Sequence, residues 1–114
     1  MRIIIVGGGN VGYYLTKALR EEKHHIMIIE ADGARCEQSA ADLDSARVEV
    51  THGDGTAIEC LRDASAYLMD VLIAVTGHDQ NNLVACQLAK DYFGVKRTIA
   101  RVKNPKNIRV FEKL

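Results

Sequence analysis

The tightest constraint on this chain lies in its first dozen residues, where RIIIVGGGNVG sets glycines at positions 7, 8, 9 and 12 directly behind a β-branched run. A glycine inside regular structure forfeits about 0.5–1 kcal/mol of backbone entropy relative to alanine, so this crowding requires another body to come close to the main chain. Gly7, Gly9 and Gly12 have the spacing G-x-G-x-x-G, with a predicted strand before them and a predicted helix after them. In that setting the first glycine permits a tight turn, the second lets a pyrophosphate approach the backbone, and the third lets the helix lie close to the strands. Phosphate charge then rests at the helix N-terminus, against unpaired N–H groups and the positive end of the dipole. Gly8 is not required by the motif.

Behind this opening, short apolar runs alternate with segments of helical period. Strands are predicted over residues 2–6, 25–30, 47–51, 71–76 and 97–101, apolar on both faces as buried parallel strands are. Helices are predicted over 11–22, 33–43, 56–62 and 82–93, with a last one from Pro105 that opens on Asn104 as cap. On the first helix Val11, Tyr14, Leu15, Ala18 and Leu19 form one apolar stripe. The βαβαβ rhythm predicts an α/β fold: a Rossmann-like, doubly wound parallel sheet with strand order 3-2-1-4-5. Residues 1–114 read as one nucleotide-binding domain, and the final helix, with no strand after it, reads as the point where a longer chain would continue.

Several residues at the carboxyl ends of these strands are candidates for a ligand site, where open α/β sheets bind. Glu30 ends the second strand, 18 residues past Gly12, near the distance at which an acid meets an adenosine ribose. A carboxylate there repels a 2′-phosphate, which disfavours NADPH; the bland alternative is a solvated strand-end acid. Asp32 reads as the cap of the second helix. Asp54, in GDGT, either accepts from an adenine amino group or caps the helix near Thr56. Thr76, Gly77 and Asp79, in VTGHDQNN, line the far half of a ligand, or Asp79 or Gln80 caps the next helix. Arg101 either balances phosphate charge or, the favoured reading, pairs with a neighbouring acid.

Composition narrows the function classes. Among 114 residues, 47% are hydrophobic and 26% charged, which suits a folded globular domain, and the formal net charge of zero gives no global attraction to nucleic acid. Charge is segregated, with ten acidic against three basic residues over 30–70 and seven basic against one acidic over 96–113, a pattern of two solvated faces or of a docking patch or phosphate-attracting rim. Cys36, Cys60 and Cys86 are odd in number and in no ligand pattern, so they read as apolar fillers of helices in a reducing cytoplasm. No leader or membrane-spanning run is expected, since IIIV and VLIAV are far too short. Four histidines stand in turns and strand ends, with only His78 near the presumed crevice, and no nucleophile has a base at informative spacing. Binding without catalysis follows.

MRIIIVGGGNVGYYL, IIEAD, GDGT, DVLIAVTGHDQNNLVACQLAK and RTIARVKNP, in this order and spacing, resemble the N-terminal nucleotide-binding domain of TrkA-type potassium-uptake regulators, the RCK or KTN domain. The resemblance implies a cytoplasmic subunit peripheral to the cell membrane, assembled as a homo-oligomer on a potassium transporter or channel. It implies that NAD, NADH, ATP or ADP binds at the carboxyl edge and alters transport by conformational change. Carried onto this sequence, the ligand positions are Gly7, Gly9, Asn10, Val11 and Gly12, then Glu30, Asp54, Thr76 and Gly77. ATP-responsive relatives tend to place a basic residue where Asn10 stands, which favours NAD or NADH here. The sixth strand, crossover helix and C-terminal lobe of complete family members have no counterpart in these residues. The rival readings are a fragment of an NAD-dependent oxidoreductase, a domain for S-adenosylmethionine, whose loop usually has glycine where Val11 stands, and an interaction domain with a vestigial pocket.

Overall fold

A computed structural model describes residues 1–43 and 46–113. Five parallel strands, β1 (Arg2–Val6), β2 (His25–Glu30), β3 (Val48–His52), β4 (Val71–Ala74) and β5 (Arg97–Ala100), form one sheet in the order β3-β2-β1-β4-β5. The connections are α1 (Asn10–Glu21), α2 (Gly33–Asp42), α3 (Ile58–Asp63) and α4 (Asp79–Asp91), with a short 3-10 turn at Ala66–Leu68. A second 3-10 turn, Pro105–Asn107, leads into α5 (Ile108–Glu112), and Asn104 caps it by accepting the Lys106 N–H at 3.0 Å. β1 is central, its Ile3 standing between Ile26 of β2 and Val71 of β4.

Side chains of β1 alternate between two cores. Ile3 and Ile5 join Ile26, Ile28 and Ile73 under α1 and α2, whereas Ile4 and Val6 join Leu61, Leu72 and Ala85 under α3 and α4. The sheet is therefore wound on both faces, as the rhythm predicts. Burial on both faces holds for β1 and β4, but the edge strand β5 alternates between exposed and half-buried residues and leaves Ile99 48% exposed. The edge position that the predicted order already gives β5 accounts for that difference, which the reading of its apolar run as buried on both faces overlooks.

The apolar stripe of α1 is rotated from its expected place. Tyr14 is 67% exposed and Val11 41%, while Gly12 and Thr16 are the buried positions, with Leu15 and Leu19 packed beside them. The helix has turned about a quarter-turn, because the residue that approaches the sheet most closely is the one without a side chain. A Cβ on Gly12 would stand 1.9 Å from the Gly7 carbonyl oxygen. Gly7 itself has φ +109°, a region that L side chains rarely adopt, with the Thr76 N–H at its back.

Gly12→Ala should thus cost about 3 kcal/mol, at the top of the usual range for overpacking, because the obstacle is backbone and not a movable side chain. Gly77→Ala, where an added Cβ meets nothing within 4 Å, should change stability by less than about 0.5 kcal/mol. Urea denaturation of the two variants tests the contrast, and equal midpoints would refute it.

Candidate functional site

At the carboxyl edge of the sheet the loops after all five strands enclose a cleft of about 780 Å³, within the range of small-molecule sites. Val6, Ile29 and Val75 line it at the sheet end, and Gly7, Gly9, Asn10 and Val11 bring the β1–α1 loop to it. Glu30 and Asp54 stand on the β2–β3 side, Thr76, Gly77 and Arg101 on the β4–β5 side. Of the residues singled out in the sequence for ligand contact, two fall outside this lining. Gly12 is buried in the packing of α1 on the β1–α1 turn, and Asp79 is engaged elsewhere.

Glu30 is 7% exposed and is not a solvated acid. Its Oε1 accepts the Gly8 N–H at 3.0 Å and its Oε2 the Asp32 N–H at 3.3 Å, so the carboxylate ties the glycine loop to the end of β2. A carboxylate has about four acceptor sites, which leaves capacity for ligand hydroxyls. Gly8 thus contributes its N–H to the site although the motif does not demand a glycine there. Ser39, 3% exposed on α2, donates to the Gly8 carbonyl at 3.4 Å and holds the loop from its other side. Asp32 caps α2 as expected, accepting from Ala34 at 2.9 Å and Arg35 at 3.1 Å. His52 closes the same rim through a 2.9 Å bond between Nε2 and the Ala31 carbonyl oxygen.

Asp54 accepts both the N–H of Thr56 at 2.9 Å and its hydroxyl at 2.6 Å. It closes the turn before α3, which starts at Ile58 with Ala57 as its cap residue, two positions later than the sequence suggests. Those two bonds hold its carboxyl below the ordinary 3.8.

On the opposite side, Asn82 is fully buried and is the group that sequence reasoning missed. Its Oδ1 accepts the Thr76 N–H at 2.9 Å and hydroxyl at 2.6 Å, and its Nδ2 donates to the carbonyls of Thr76 at 3.2 Å and Arg101 at 2.9 Å. A polar residue one turn into an otherwise small-apolar helix face was the available signal. Asp79, the first residue of α4, neither caps that helix nor lines the cleft: its carboxylate accepts the N–H groups of Lys103 at 2.7 Å and Asn104 at 2.9 Å, and the Asn107 amide at 2.9 Å. The cap residue of α4 is the exposed His78, which contributes no side-chain bond.

Arg101 corrects the favoured reading of an ion pair. Among the described residues no carboxylate lies within ion-pair distance of its guanidinium, and it lines the cleft with Lys103 and Arg35, two cations not singled out in the sequence. Charge in the cleft is therefore mixed: the acids are fixed on the β2–β3 side, where the Arg35 guanidinium also stands beside Gly9, and Arg101 and Lys103 line the β5 side. The three cysteines are free, and burial pushes the Cys86 thiol up to about 11, as befits a core filler. Among the described residues no group of His, Cys, Asp and Glu could hold a metal ion, and no helix is long and apolar enough to cross a membrane.

The sequence matches the family model of the TrkA-N domain over residues 3–114. It is 37% identical over 114 residues to a Trk system potassium uptake protein TrkA homolog of Methanothermobacter thermautotrophicus, an alignment that covers all of this chain and 51% of that protein. The chain thus spans about half the length of this relative. The TrkA-N domain of the inner membrane protein ybaL from Escherichia coli superposes with a TM-score of 0.86 at 18% identity, over 98% of this chain and 80% of that one. A Kef C-terminal domain of Shewanella denitrificans, solved in an AMP-bound form, gives 0.79 at 18% identity over 96% and 67%.

The backbone N–H groups of Lys103 and Asn104, with the Asn107 amide, hold the Asp79 carboxyl below the ordinary 3.8, as the Thr56 hydroxyl and N–H hold that of Asp54. A depressed folded-state value contributes stability that is complete above the unfolded value, near 3.9, and is lost as pH falls through the folded value. Urea midpoints should drop as pH falls below about 4, and Asp79→Asn should flatten that decline. An acid limb identical in the variant and the wild type would contradict the assignment.

Proposed function

As this chain belongs to the TrkA-N domain family, we propose that it is the nucleotide-binding domain of a potassium-uptake regulator. It takes NAD or NADH into the cleft and passes a change of shape to a membrane potassium transporter or channel. The observation that carries the reading is the pairing, across one cleft, of the open backbone at Gly7 and Gly9 with the Glu30 carboxylate fixed by the Gly8 N–H. The diphosphate lies along Gly7, Gly9, Asn10 and Val11 at the start of α1, Glu30 accepts from the adenosine ribose, and Asp54 stands at the adenine. Gly12 serves by letting α1 close on the turn. Thr76, Gly77 and Arg101 meet the distal half of the ligand.

The reading is of a binding module and not of an enzyme. Glu30 and Asp54 spend acceptor capacity on backbone N–H groups, Asp79 is turned to the chain after β5, and His78 has no partner arranged to activate a nucleophile. The name of the Methanothermobacter relative supports potassium uptake as the process. The domain acts in a cytoplasmic, homo-oligomeric subunit peripheral to the membrane, and ligand shifts its conformation by binding one state more tightly than another. ATP or ADP is a second reading, favoured by Arg101 and Lys103, which supply the positive charge that Asn10 does not. The AMP-bound state of the Kef neighbour supports an adenine nucleotide in this fold.

Thermal-shift titration with NAD, NADH, NADPH, ATP, ADP and S-adenosylmethionine tests the proposal. A ligand at about 100 times its Kd adds roughly 2.7 kcal/mol, which raises Tm by about 10–20 °C in a domain of this size. NAD or NADH should give that rise and NADPH much less, because Glu30 repels a 2′-phosphate. No rise with any adenine nucleotide would overturn the proposal, and a rise with S-adenosylmethionine alone would replace it.

A further inference from the structure

The two best-satisfied buried polar side chains on α4 do not touch the cleft, yet both grip the segment that carries its cations. Asn82 holds the Arg101 carbonyl at 2.9 Å, and Asp79 holds the N–H of Lys103 at 2.7 Å and of Asn104 at 2.9 Å. Between these anchors the chain leaves β5, where the Arg101 N–H still bonds to Ala74 of β4 at 2.9 Å. Asn82 is fully buried and Asp79 9% exposed, and their bonds to the segment after β5 are half-buried. The same Asn82 amide fixes Thr76 through both its N–H and its carbonyl. One side chain therefore sets the distance between the β4 loop and the β5 loop, the two that bound the cleft opposite Glu30.

From this arrangement we infer that Asp79 and Asn82 are positioning residues, which hold Arg101 and Lys103 at the far wall of the cleft so that it distinguishes ligands by the anionic groups they carry beyond the diphosphate. The inference rests on the nucleotide reading above and adds a rule of selectivity to it. A nucleoside monophosphate reaches the glycine loop and Glu30 but places no charge at the β5 side. A triphosphate, whose terminal phosphate extends past the two held along that loop, does. Arg101 and Lys103 are exposed side chains, so a fixed backbone beneath them removes much of the freedom that would otherwise weaken their contact with phosphate.

A merely electrostatic role for Asp79 has the opposite sign from a positioning role. Removing its charge beside Lys103 makes that wall more positive and would tighten a triphosphate, whereas releasing the Lys103 and Asn104 amides loosens the wall and weakens it. Calorimetric titration of the 114-residue chain with AMP, ADP, ATP and NAD, as wild type, Asp79→Asn and Asn82→Ala, separates the two. The wild type should prefer ATP to AMP, and each variant should lose about tenfold of that preference with AMP affinity changed by less than about twofold. Arg101→Gln with Lys103→Gln should reproduce the loss, and added salt should shrink the wild-type preference but not the residual one. Tighter ATP binding by Asp79→Asn, or an unchanged ATP-to-AMP ratio in both α4 variants, overturns the inference and leaves the nucleotide reading intact. A wild type that binds ATP no more tightly than AMP overturns the inference alone, and one that binds none of the four overturns both. Should the α4 variants fail to fold, amide exchange in the wild type decides: saturating ATP should slow exchange at Lys103 and Asn104 beyond AMP, and equal rates overturn the inference.

Discussion

The closeness of Gly12 to the Gly7 carbonyl is the constraint on which the rest of the molecule depends. With a side chain at position 12, α1 would have to lift from the turn that follows β1, and its first N–H groups would no longer face the cleft. Instead the helix settles on its Gly12 and Thr16 side, and the Thr16 hydroxyl donates back to the Gly12 carbonyl at 2.7 Å. That rotation sends Val11 to the cleft wall and Tyr14 to solvent. An apolar count along the helix could not anticipate it, because the most buried positions carry a hydrogen atom and a hydroxyl.

Around this contact the cleft is built from buried polar groups that are engaged before any ligand arrives. Glu30 and Ser39 grip Gly8 from two elements, and Asn82 uses its oxygen twice and its nitrogen twice. Among the described residues no buried side-chain nitrogen or oxygen lacks a partner. Such networks are costly when half-made and specify one geometry when complete. They hold a site that lies on loops in one geometry through bonds to α2, β2 and α4.

How much of this was legible in the sequence depends on whether the signal was local. The parallel sheet, its order, the glycine loop and the Asp32 and Asn104 caps are written in short-range patterns, and the structure has each of them. The distance of Glu30 from the glycines points to the cleft, where it stands, but not to its grip on Gly8. The bonds of Asp79 and the Asn82 bond to the Arg101 carbonyl join residues about 20 to 30 positions apart, which local spacing does not show, and a helix cap or an ion pair is the reading that spacing suggests for Asp79 and Arg101. The exposure of β5 likewise follows from its place at the rim of the sheet and not from its composition.

The strand order also bears on how the chain is made. β1 emerges first yet lies in the middle, so one of its ladders must wait until Val71 can pair with Ile3. At ordinary synthesis rates that interval is on the order of ten seconds, during which a run of four β-branched residues presents an open edge, the kind that recruits foreign strands. The lining of the cleft is complete only with the residues through Lys103 in place. A ligand that needs the whole cleft would thus act as an inspector of finished domains, holding those that have closed and ignoring those still in assembly.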